Sequence, residues 1–109
     1  MRATVMALMV GLAIPAAAAA QDAKVTKGAE VYAAQKCGMC HSIGDKGNKK
    51  GPLDGVGSKL PAADIKAWMT DAKGMTAKTK ATRKPDMKSY TLPADELDAL
   101  VAYMMSLKK

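Results

Sequence analysis

The chain has 109 residues, with 17 Lys or Arg against 10 Asp or Glu, a formal net charge of +7, two cysteines, one histidine and no phenylalanine. That length holds one small domain with a modest core. Two cysteines and one histidine cannot complete a tetrahedral zinc site without a carboxylate or water, and the surplus of positive charge comes with no nucleic-acid-binding motif.

The first element in chain order is an export signal. Arg2 gives a positive start, Val5 to Ile14 is apolar apart from Gly11, and Pro15 leads into alanines that end at Ala18-Ala19-Ala20. Positive start, short apolar run and small-residue end are the layout of a cleaved secretory signal. The apolar run is too short to span a bilayer. The expectation is a signal peptide over residues 1–20, removed on export, and a single domain over residues 21–109. Loss of Arg2 leaves that domain strongly basic. For an exported protein, acidic partner proteins or an anionic membrane surface suit such a charge better than nucleic acid.

Asp22 to Lys36 reads as a helix that Asp22 can cap. Val25, Ala29, Tyr32 and Lys36 fall on one stripe, with Gly28 beside it. Cys37-Gly38-Met39-Cys40-His41 follows. Two thiols three positions apart, with an imidazole directly after the second, form the attachment signature of a c-type haem. Each thiol can close a thioether to one vinyl group of the porphyrin. His41, next in line, can turn its imidazole onto the iron as proximal ligand. A plain disulfide gives His41 no role, and a thioredoxin-like pair expects a βαβ pattern that this sequence lacks.

Ser42 to Lys59 is rich in Gly, Lys and Asn and reads as loop. Leu60-Pro61-Ala62-Ala63-Asp64 and Leu92-Pro93-Ala94-Asp95-Glu96 are two similar helix starts, each with proline near the first helical position and acids in the first turn. The first predicts a helix from about Ala62 to Asp71 or Lys73, with Ile65, Trp68 and Met69 inward. The second predicts a helix from about Ala94 to Leu107, with Leu97, Leu100, Val101 and Met104 on its apolar stripe. Gly74 to Thr91 is loop by composition, and no stretch alternates convincingly as a strand. The fold class is all-α.

Several of these segments together resemble the small class I cytochromes c over nearly all of residues 21–109. They are Gly28 with Tyr32, the Cys37–His41 motif, Gly51-Pro52-Leu53-Asp54-Gly55-Val56-Gly57 and Leu100-Val101-Ala102-Tyr103-Met104. The resemblance implies a small cytochrome c fold of three to four helices around one covalently attached haem c per chain. It implies that the first and last helices cross closely at Gly28. It also implies that the Pro52 carbonyl accepts a hydrogen bond from the other ring nitrogen of His41, fixing the tautomer and enriching the ligand. A distal methionine is implied as well. Met39 cannot reach round from within the motif, Met69 and Met104 sit on helical stripes, and Met105 is on a flank. Met75 and Met87 remain. The family's ligand lies in a loop shortly before the last helix, and Pro85-Asp86-Met87-Lys88-Ser89-Tyr90 stands there, so Met87 is the expected ligand and Met75 the runner-up. Thr79 to Lys84 departs from the proline-glycine-threonine run usual before that ligand.

A thioether is a soft, neutral ligand that favours ferrous iron, and with both axial positions filled no site is open to oxygen. No nucleophile–base pair or carboxylate pair asks for catalysis. The chain is therefore expected to be a carrier and not an enzyme: a soluble, monomeric periplasmic protein passing single electrons from an oxidoreductase donor to an oxidase or reductase acceptor. Lys36, Lys46, Lys49, Lys50, Lys78, Lys80, Lys84 and Lys88 flank the motif or the ligand loop and would steer acidic partners. The alternatives are a dedicated electron-accepting subunit of one periplasmic oxidoreductase, a gas-binding or sensing module if Met87 is not a ligand, and a peroxidase-like haem enzyme.

Overall fold

Alanine is the strongest helix former, and the alanine run ahead of Asp22 joins the first helix. The computed structural model describes Gly11 and residues 16–109; the remainder of the expected export segment lies outside the described residues. Helix α1 spans Ala16–Ala34, so it begins ahead of Asp22 and ends two residues before the expected Lys36. A 3-10 turn at Cys37–Met39 follows, then strands β1 (Ser42–Ile43) and β2 (Lys46–Gly47), and helices α2 (Val56–Lys59), α3 (Ala62–Thr70), α4 (Ala72–Thr79) and α5 (Ala94–Ser106). The architecture is all-α, with one antiparallel ribbon in which Ser42 faces Gly47 and Ile43 faces Lys46. Strands of two residues carry no readable alternation, which is why the sequence hides them.

Helix α4 corrects the expectation of loop from Gly74 onward. Gly74 and the threonines are poor helix formers and dominate the composition there. The helix forms because Asp71 Oδ1 accepts the Gly74 N–H at 3.2 Å. Ala72 and Met75, three residues apart, both point into the interior. Lys80, with φ 55°, ends the helix in the left-handed region.

The buried cluster is Val31 from α1, Ile65 and Met69 from α3, and Leu100 and Met104 from α5. The expected inner stripes of α3 and α5 hold. On α1 the most buried positions are Gly28 and Val31, with Val25, Ala29 and Tyr32 only half-buried. Helices α1 and α5 form the most extensive pairing, and Tyr32 meets Tyr103 edge-on with ring centroids 5.7 Å apart. The pairing closes at Gly28. A Cβ there would run into the Ala99 carbonyl oxygen and lie 2.5 Å from Tyr103 Cβ.

Gly28→Ala is accordingly expected to destabilise the protein by about 1–3 kcal/mol through overpacking. That outweighs the gain of roughly 1 kcal/mol in helix propensity. A lower denaturant midpoint with an unchanged slope would register it; a raised midpoint would contradict the close crossing.

Candidate functional site

The site starts where α1 stops. The Gln35 N–H still reaches Val31 O at 2.9 Å, but Lys36 turns left-handed at φ 56°, a conformation that costs a non-glycine residue on the order of 1 kcal/mol. That reversal directs the next residues into a tight turn, in which Cys40 N–H bonds Cys37 O at 3.2 Å and His41 N–H bonds the same oxygen at 3.0 Å. Side chains three apart on a 3-10 turn lie one above the other, so Cys37 and Cys40 share a face. The two cysteines are free thiols. Burial pushes the Cys37 thiol upward. Among the described residues no three His, Cys, Asp or Glu side chains cluster as a metal site.

His41 is half-buried, and its Nδ1 lies 3.1 Å from the carbonyl oxygen of Gly51. A carbonyl only accepts, so Nδ1 carries the proton and Nε2 keeps a free lone pair. Burial is the main cause that lowers the His41 pKa below its ordinary value, and the nearby Arg83 cation adds to it, while the Gly51 bond opposes them. Burial outweighs the opposing Gly51 bond, so the balance favours a neutral ring, as a metal ligand must be. The acceptor is one residue earlier than expected: Gly51 holds the ring, and Pro52 does not. The residue before a proline is held extended, and here Pro52 forms a parallel bridge with Ser42. Ser42 N–H donates to Gly51 O at 3.0 Å and Ser42 O accepts the Leu53 N–H at 2.8 Å. These bonds lock Gly51 O beside the histidine, and its two lone pairs serve Ser42 and His41 together. Gly51 must be glycine, because a Cβ would press on the Cys40 carbonyl oxygen and the Arg83 guanidinium.

These residues open onto a cavity of about 550 Å³. Cys37, Cys40 and His41 line it from the turn, and Met87 lines it from the loop between α4 and α5. Met75 does not line it; that side chain is buried in α4 at 8 % exposure. Ile65, Trp68, Met69, Leu100 and Met104 give the walls their apolar character. Hence the central cluster faces a hollow as well as itself.

Three lining groups were not legible as site residues. Tyr32 Oη is buried with no hydrogen-bond partner, and burial pushes its pKa up to about 12. Tyr32 read only as a core aromatic, and its hydroxyl gives no signal in one sequence. Arg83 read as one cation among several, yet it lines the cavity and forms no ion pair with any described carboxylate. Trp68 reads from the sequence as an inward helix residue, and the structure sets it against the site.

The cavity fits haem on its own terms. It has apolar walls for a flat macrocycle, two free thiols on one face, a neutral imidazole, a thioether, a guanidinium for carboxylates and a buried hydroxyl with nothing to bond. A family model for cytochrome c matches residues 25–108. No curated protein and no solved structure matches. The chain belongs to the cytochrome c family, whose members carry a covalently attached haem c and typically serve in electron transfer and not as enzymes.

Proposed function

We propose that this chain is an exported, monomeric electron carrier with haem attached through Cys37 and Cys40 and iron held by His41 and Met87. The observation that carries the proposal is that the Cys37–His41 turn and Met87, from a separate loop, line one apolar cavity. When bound, haem supplies an iron that gains and loses one electron.

The chain's own residues do the rest. Cys37 and Cys40 would offer two sulfurs on one face, so attachment would hold the macrocycle at two points. His41 offers Nε2, with its ring held by Gly51 O, which makes the imidazole more electron-rich. Met87, lining the cavity from a loop distant in sequence from the motif's turn, would offer the iron a neutral, soft sulfur and so would leave oxygen no ligand site there. The apolar walls exclude water, and poor solvation of added positive charge favours the reduced state. Arg83 offers a planar fork suited to a carboxylate at the rim.

The domain is residues 21–109, cleaved after Ala20 and placed in the periplasm. The layout of the first twenty residues supports this, and no helix among the described residues is long and apolar enough to cross a membrane. Acidic oxidoreductase donors and oxidase or reductase acceptors are its partners. Lys36, Arg83 and Lys88 line the cavity, and Lys46, Lys49, Lys50, Lys78, Lys80 and Lys84 are all exposed. Such a field raises encounter rates with acidic surfaces and is screened by salt. Stopped-flow electron exchange with an acidic redox protein is expected to slow by about tenfold or more between low and high ionic strength. A rate unchanged by salt would remove the steering role.

A further inference from the structure

The loop that carries Met87 is held at its ends and little between them. Ala81 N–H reaches Thr76 O at 3.1 Å, and Tyr90 N–H reaches Met69 O at 2.7 Å; no described backbone hydrogen bond falls between. The Lys84–Asp86 ion pair within it is local and exposed, and such pairs contribute little. One further bond fastens the loop. Ser89 Oγ accepts the Ala72 N–H at 2.9 Å across seventeen residues of sequence. Ala72 opens α4, and its N–H has no acceptor within the helix. Asp71, beside it, serves Gly74 instead. The first helical N–H of α4 is thus satisfied from the loop, two residues after Met87.

We propose that Ser89 is the positioning residue for the distal ligand, its bond to Ala72 being the tie that keeps the Met87 loop closed over the cavity. The proposal rests on Met87 being the distal ligand. Among the described residues, breaking the tie leaves the Tyr90 N–H bond to Met69 O as the one hydrogen bond anchoring this end of the loop, so detachment of the Met87 sulfur becomes easier. The ferric state shows this most, because the thioether holds ferric iron less firmly than ferrous.

The test uses the ferric holoprotein and imidazole, followed through the sulfur-to-iron absorption band. Wild type should show the band and a displacement rate that levels off at high imidazole, set by loop opening. Ser89→Ala should keep the band at rest and raise that limiting rate roughly three- to tenfold, the equivalent of one hydrogen bond. Asp71→Ala removes a cap from the same end of α4 without touching the loop; it should lower urea stability and leave the limiting rate within twofold of wild type. A wild-type rate in Ser89→Ala overturns the proposal, as does an equal acceleration in Asp71→Ala, which would reduce Ser89 to a helix cap. A wild type with no sulfur band overturns the Met87 assignment beneath it, and so separates the two failures.

Discussion

The Cys37→Ala/Cys40→Ala double variant is expected to carry no covalent haem and to be largely unfolded. Both thiols stand on one turn at the cavity wall, and the chain has no other cysteine. The fold follows because the core is built around the hollow. The central cluster of Val31, Ile65, Met69, Leu100 and Met104 is small, and most of it also lines the cavity. Without haem, the hollow of about 550 Å³ leaves the side chains that line it with no packing partner on that side. The whole stability of a typical domain is about 5–15 kcal/mol. Collapse or flooding of the hollow recovers part of that loss but gives up the native packing. Far-ultraviolet circular dichroism of the exported variant checks this. A colourless double variant that keeps native helicity and a cooperative transition would contradict it.

Replacement of Met87 has the second large effect, of a different kind. Met87→Ala is expected to lose the sulfur-to-iron band and to bind carbon monoxide rapidly in the ferrous state. Its reduction potential should fall by roughly 0.1–0.3 V, a fraction of the ~0.8 V range that axial ligation spans. Stability should change less, because Met87 is only half-buried. Met75→Ala should do the reverse. That side chain is 8 % exposed and outside the cavity lining, so its loss should cost about 2–5 kcal/mol and leave spectrum and potential near wild type. A sulfur band retained in Met87→Ala and lost in Met75→Ala would exchange the roles of the two methionines.

How much the sequence reveals depends on the range of the interaction. The turn that joins Cys37, Cys40 and His41 is local, and a five-residue motif specifies it. The stripes of α3 and α5 are equally plain, since a buried helix face repeats at fixed spacing. Helix α4 is not, because beside the local Asp71 cap its first N–H, that of Ala72, donates to Ser89 Oγ far along the chain. Composition sees only the glycine and threonines. The partner of His41 falls between these cases. The Gly51-Pro52 segment is recognisable, but which carbonyl faces the ring is set by the register of its bridge to Ser42, which no residue type encodes. Arg83 and the Tyr32 hydroxyl become site groups only when the loop folds back and the helices cross.

Intact-mass analysis of the exported protein, followed by mapping of the peptide that contains Cys37 to His41, tests the central claim most directly. The processed chain should be heavier by one haem, and the added mass should stay on that peptide after denaturation and acid–ketone extraction. A mass equal to the bare chain, or a pigment that washes away, would contradict it.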